Sequence, residues 1–179
     1  MSKFDISNVA IIGCGTVGAN VAINVISKLH NVNRLALFDY DIISGPTSPF
    51  QVNETGLHKA IVTRGLCLIE NPNLDCTYSL EKVTNDSKLR GYFIIDCRDT
   101  KSKDISSDVR ISLDDKYLII DAKQDFVPYT SNMYIFPRNE RCIEESIDII
   151  LQYFQEERYL NDQRESYVLE EKKRQCYVR

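Results

Sequence analysis

A chain of 179 residues is long enough for one domain with a real hydrophobic core and short for two. Its 22 Lys+Arg against 26 Asp+Glu give a net charge of -4, so nothing in the charge balance calls for nucleic acid as a partner. No run is long and apolar enough to span a bilayer. The opening MSKFDISNVAIIGCG lacks the apolar segment and cleavage site of a signal peptide. The six cysteines, Cys14, Cys67, Cys76, Cys97, Cys142 and Cys176, form no CxxC pair or Cys/His cluster. A reduced, cytoplasmic setting without a zinc site or disulfide framework is therefore expected.

Asn8 to Ile12 is a short apolar run that stops at Gly13, and Val17 to Leu29 repeats apolar residues at helical spacing. Arg34 to Phe38 reads as a second buried strand closing on Asp39. The three pieces make a β-α-β unit, which implies two parallel strands. From Asp41 to Gly56 the composition turns to Gly, Pro, Ser, Thr and Asn, the signature of a long loop. His58 to Ile69 resumes helical spacing and ends before Asn71-Pro72. Further strands are expected at Asp75 to Leu80, Tyr92 to Ile95 and Tyr117 to Ile120. A last strand, antiparallel at the edge, is expected at Ser131 to Phe136. Asp39, Asp96 and Asp121 each follow or end a strand, as expected where strand C-termini open onto a ligand crevice. Apolar positions between Cys142 and Leu160 share one helical face.

The pattern predicts an α/β, Rossmann-like fold: a mostly parallel sheet flanked by helices, with a nucleotide-binding domain over 1–140 and a C-terminal helical extension over 141–179. Gly13-Cys14-Gly15-Thr16-Val17-Gly18 fits GxGxxG between a strand and a helix. The first glycine permits the turn, the second lets phosphate approach the backbone, and the third lets helix and strand pack closely. The helix N-terminus then offers N–H groups and partial positive charge to an anion. Asp39 stands where a carboxylate can accept from ribose hydroxyls.

On the turn alone, an NAD-binding protein is a fair reading. Against a dehydrogenase stand the few residues after Asp121 and the presence of only two histidines, His30 and His58. The order of VAIIGCGTVGANVA, LFDYDIISGPTSPFQ, HKAIVTRGLCLIENPNLD and FIIDCRDT resembles the ThiF-type family of ubiquitin-activating and sulfur-carrier-activating enzymes. The resemblance covers about Val9 to Phe136. It implies ATP and Mg2+ as ligands, with Asp39 on the ribose, Asp41 and Gln51 at the same pocket, Lys59 on the phosphates and Asp99 on the metal. It also implies a dimer, and as partner the C-terminal tail of a ubiquitin-like or sulfur-carrier protein, whose carboxylate attacks the α-phosphate to form an acyl-adenylate.

The sequence departs from that family at three positions. Phe50 stands where the family has an arginine, Thr47 where the same loop has an asparagine, and Thr100 where an asparagine follows the metal-binding aspartate. A phenyl ring in place of a guanidinium removes charge and forked hydrogen bonding. Arg64 and Arg98 are the candidate replacements. Cys142, at a helix start, is a candidate thioester nucleophile whose alternative is a buried core thiol. Three readings stay open: an adenylating enzyme, a degenerate scaffold or regulatory subunit of the same fold, and a small NAD-binding regulator.

Overall fold

The computed structural model describes residues 6–84, 86–99, 105–113, 116–122, 133–137, 141–144 and 147. Seven strands form one sheet: β1 (Asn8–Ile12), β2 (Arg34–Phe38), β3 (Asp75–Ser79), β4 (Phe93–Asp96), β5 (Val109–Leu113), β6 (Tyr117–Ala122) and β7 (Met133–Pro137). Their order is β3-β2-β1-β4-β5-β6-β7. Strands β3, β2, β1, β4 and β5 run parallel, whereas β5-β6 and β6-β7 are antiparallel. The mostly parallel sheet and the antiparallel last strand are as the sequence pattern predicts.

Both described α-helices, α1 (Thr16–Asn24) and α2 (Lys59–Glu70), lie on one face of this sheet. Val17, Val21 and Ala22 of α1 and Ala60 and Cys67 of α2 share a cluster with Val9, Ile11, Leu35, Leu37, Ile95, Ile111 and Leu118. The opposite face is closed differently. Ala10, Ile12 and Ile94 pack under Val83, Leu89 and Ile105, contributed by loops and a one-turn 3-10 helix at Asp86–Leu89. This near-continuous apolar pattern in β1 and β4 is what burial on two faces demands.

Two elements differ from the sequence reading. Helix α1 stops at Asn24 and gives way to a 3-10 turn at Ile26–Lys28, because Ser27 Oγ donates to the Ile23 carbonyl at 2.5 Å and competes with the helical ladder. Strand β5 has no counterpart in the sequence reading. Its second residue is Arg110, which breaks an apolar strand signal and reaches across the sheet to Asp96.

Strand β6 runs against β5, so its end does not belong to the row of parallel C-termini. Register nevertheless places Asp121 beside Arg110, and Arg110 beside Asp96. Only the first two residues of β5 pair with β4, so Ile111–Leu113 and the start of β6 project past the end of β4. Of the expected extension, residues 142–144 and 147 are helical; the rest of the expected helix to Leu160 lies outside the described residues.

The glycine turn fixes how closely α1 approaches β1. A Cβ added to Gly18 would sit 1.8 Å from the Gly13 carbonyl oxygen, while one added to Gly15 would meet nothing within 4 Å. Gly18→Ala is therefore expected to destabilise the protein by about 3 kcal/mol or more through a forced separation of helix and strand. Gly15→Ala should melt within a few degrees of the wild type; thermal unfolding followed by circular dichroism distinguishes them.

Candidate functional site

The turn after β1 is held from two sides. Gly13 adopts φ +88, a left-handed conformation that favours glycine, and its N–H donates to the Phe38 carbonyl at 2.8 Å. The Cys14 N–H donates to Asp39 Oδ2 at 2.6 Å, and the Asp41 N–H to Asp39 Oδ1 at 2.7 Å. Asp39, only 8% exposed, thus pins the glycine turn and its own loop together. Ala19 N–H bonds to the Gly15 carbonyl at 2.9 Å as the first helical turn of α1 closes. The amides of Thr16, Val17 and Gly18 precede that bond and have no acceptor within the helix. Two amides of the turn, those of Gly13 and Cys14, are already committed to the protein itself.

A cavity of about 460 Å³ opens above this turn, within the size range of small-molecule sites. Ile12, Gly13 and Gly15 form one side, and Phe38, Asp39, Tyr40 and Asp41 continue it from the end of β2. Lys59 enters from the start of α2, and Cys97, Arg98 and Asp99 from the end of β4. Glu81, Lys82 and Val83, just past β3, line the remaining side. The wall is therefore apolar at Ile12, Phe38 and Val83 and carries three cations, Lys59, Lys82 and Arg98.

Seven residues singled out in the sequence meet at this cavity: Gly13, Gly15, Asp39, Asp41, Lys59, Arg98 and Asp99. Lys59 Nζ pairs with Asp41 Oδ2 at 3.4 Å, and the Lys59 N–H donates to the Asp41 carbonyl. The pair offsets the unfavourable position of a cation at a helix N-terminus. Asp41, Glu81 and Asp99 are the exposed carboxylates that line the cavity. Magnesium commonly binds through one or two carboxylates together with substrate phosphates, so this set suits an ion shared with a nucleotide. Among the described residues, no three His, Cys, Asp or Glu side chains converge as a self-sufficient metal site.

Four other residues named from the sequence lie elsewhere. Gly18 serves the close packing of α1. Gln51 is exposed at the head of a 3-10 turn, where its N–H donates to Glu54 Oε2 at 2.7 Å. Arg64 reaches back from α2, its Nε donating to the Cys76 carbonyl at 2.7 Å, and does not line the cavity. Cys142 is buried within the main core cluster, which leaves its thiol without access to a partner chain. Thr100 lies outside the described residues.

Phe50 is the informative departure. Its ring is 5% exposed and packs with Ala19, Ile43 and Val62, pinning the loop after β2 onto both helices. The cavity is not filled by it. Asn20 supports the same loop, its Nδ2 donating to the Thr16 carbonyl at 2.7 Å and to Ser48 Oγ at 3.3 Å. A side chain at position 50 therefore points into apolar packing, and the loop delivers no cation from that position.

The end of β4 supplies one. Asp96 is fully buried, and Arg98 grips it with Nε on Oδ1 and NH2 on Oδ2, both at 2.9 Å. Arg110 NH2 adds a contact to Oδ2 at 2.8 Å. Burial alone would raise the Asp96 carboxyl's pKa, but the hydrogen bonds from Arg98 and Arg110 overturn that and hold it below the ordinary carboxylate value. The neighbouring thiols go the other way. Burial and nearby carboxylates push Cys14 and Cys97 up, so neither is a thiolate nucleophile at neutral pH. Sequence reasoning missed Glu81, Lys82, Val83 and Arg110; the first three stand immediately past a strand end, a position that signals a crevice in a parallel sheet.

No protein-family model matches the chain, and no curated protein matches it. Solved structures do. E. coli MccB in its structure with succinimide superposes with a TM-score of 0.54 at 12% identity, covering 84% of this chain and 50% of that one. MccB with selenomethionine MccA gives 0.52 at 15% identity, with 84% and 49% covered. The chain shares the fold of these MccB chains. E. coli tRNA N6-threonylcarbamoyladenosine dehydratase, TcdA, in complex with ATP matches less of it, with a TM-score of 0.48 at 22% identity over 55% of this chain and 44% of that one. The chain spans about half the length of the MccB chains it matches.

Two outcomes follow from the site. Phe50→Arg is expected to cost about 3 kcal/mol or more in urea unfolding, because it empties an apolar seat and buries a charge. It should bring no gain in ligand affinity. Because Asp96 has a depressed native pKa, its contribution to stability is present above the unfolded value of about 3.9 and is lost as pH falls through the native value. Asp96→Asn should be less stable at neutral pH and should lack this part of the acid limb in denaturant titrations between about pH 7 and pH 2.

Proposed function

We propose that the cavity binds ATP and that the protein acts on the C-terminal carboxylate of a ubiquitin-like or sulfur-carrier partner. The observation that carries the reading is the convergence of Gly13, Gly15, Asp39, Lys59 and Asp99 on one cavity. Gly15 leaves open space beside the backbone, where a phosphate can approach N–H groups at a helix start. Asp39 retains acceptor capacity on both oxygens for ribose hydroxyls, since a carboxylate has about four lone-pair sites and the two backbone amides take one on each oxygen. Lys59 and Arg98 bring positive charge to the phosphate end, and Asp99 would take magnesium there.

In the adenylating form of this reading, the partner's carboxylate attacks the α-phosphate, the bond to the β-phosphate breaks, and pyrophosphate leaves. The residues named contribute charge and position; the step needs cations more than it needs a base. A second reading is favoured by Phe50. With position 50 committed to packing, a scaffold or regulatory subunit that binds nucleotide without completing adenylation is the alternative. The dimer implied by the family resemblance belongs to both readings, and NAD binding is the weaker third.

Calorimetry with MgATP, ADP and NAD tests the ligand, and pyrophosphate exchange with candidate carrier proteins tests the reaction. MgATP is expected to bind in preference to NAD, and Gly15→Ala, which keeps the fold, is expected to weaken it by about tenfold or more by blocking backbone approach. Asp99→Ala should remove the magnesium dependence of ATP binding; an unchanged dependence would overturn the metal assignment. Binding without exchange supports the scaffold. Binding of NAD alone defeats the ATP reading.

A further inference from the structure

Arg98 is 16% exposed through its side chain and lines the cavity, but its guanidinium does not stand there unaided. It rests on Asp96, two residues before it in the chain, through Nε, NH2 and its own backbone N–H. Asp96 itself is fixed in β4, in register with Ile12 of β1 and wholly buried. A second guanidinium reaches it from β5. Arg110 is the register partner of Asp96, and Arg110 in turn is paired with Asp121 on β6, so its backbone is held in the ladder on both sides.

Four donors fill the carboxylate evenly. Oδ1 receives the Arg98 N–H at 3.1 Å and Nε at 2.9 Å; Oδ2 receives Arg98 NH2 at 2.9 Å and Arg110 NH2 at 2.8 Å. A carboxylate has about four lone-pair sites, so these contacts saturate it. Without Arg110, one site on a fully buried, charged oxygen is left unmet, a costly state. The nearest group able to relieve it is the Arg98 guanidinium, drawn inward from the cavity wall.

We infer that Arg110 is a positioning residue of the cavity, which acts through Asp96 to hold Arg98 at the wall where a ligand's phosphates would lie. The inference rests on the nucleotide reading of the site. Arg110 is not a catalytic residue in this account, because it touches Asp96 and does not line the cavity. It makes the charge at the end of β4 a shared product of β4 and β5, in a fold whose loop position 50 supplies none.

The test is calorimetric binding of MgATP and of adenosine to wild type, R98Q, R110Q, R110K and the double variant R98Q/R110Q, with thermal unfolding of each. R110Q is expected to weaken MgATP binding about tenfold while changing adenosine binding less than about twofold, since only the phosphate end has lost its cation's position. The double variant should bind MgATP no more weakly than R98Q, because the two residues act as one unit. R110K should stay near wild type, as the contact to Asp96 Oδ2 needs one charged donor and not a fork. Equal losses for MgATP and adenosine in R110Q, or a further loss in the double variant, would overturn the inference. If R110Q does not fold, R110K and R98K carry the test: the ratio of MgATP to adenosine affinity must hold in R110K and fall in R98K, which loses the two-point grip. A wild type that binds neither ligand defeats the nucleotide reading itself, whereas MgATP binding indifferent to R98Q and R110Q defeats only the role of Arg110.

Discussion

The close approach of α1 to β1 governs the rest of the molecule, and it depends on a space too small for a single carbon atom. The Gly13 carbonyl lies where a Cβ on residue 18 would be, so the first helix starts almost against the strand that feeds it. That contact brings the Cys14 N–H within reach of Asp39, which sets the end of β2 beside the turn. The cavity is the space left over once β1, β2 and β4 end on one side of this arrangement. Its shape follows from backbone packing before any functional side chain is considered.

Positive charge reaches that space from three elements and not from the loop after β2. The loop after β2 has given its position 50 to packing: Phe50, Ile43 and Ala19 form a small core of their own. A loop anchored by a buried ring is held firmly, but it brings no guanidinium to the cavity from that position. Positive charge arrives from three other directions, through Lys59 at the start of α2, Lys82 past β3 and Arg98 past β4. Each sits on a different element, so the field in the cavity depends on the tertiary arrangement of all three.

The Asp96 cluster shows why buried charge and strand pairing belong together here. A carboxylate with no exposure is sustained by two guanidiniums, because an unpaired charge in that position would cost several kcal/mol. One guanidinium is local and the other comes from a neighbouring strand. The same arrangement explains why β5 carries an arginine at a position where burial would ordinarily select an apolar residue. It also ties the β5 end of the antiparallel β5-β6 pair to the end of β4.

Local sequence determined the elements whose signals are complete within a few residues. Apolar runs marked β1, β2 and β4, the glycine spacing marked the turn and the start of α1, and the strand-end position marked Asp39 at the crevice, because each of these depends on period or turn geometry that neighbouring residues set. Tertiary structure decided what depends on partners distant in the chain. The existence of β5, the reversal of β6, the inward seat of Phe50, the engagement of Arg64 with the Cys76 carbonyl and the joining of Arg110 to Asp96 arise between segments 12 or more residues apart or across a turn, where no periodicity records the contact. An arginine in a strand reads as a break until its counter-charge is seen, and a phenylalanine in a loop reads as a lost arginine until its apolar seat is known.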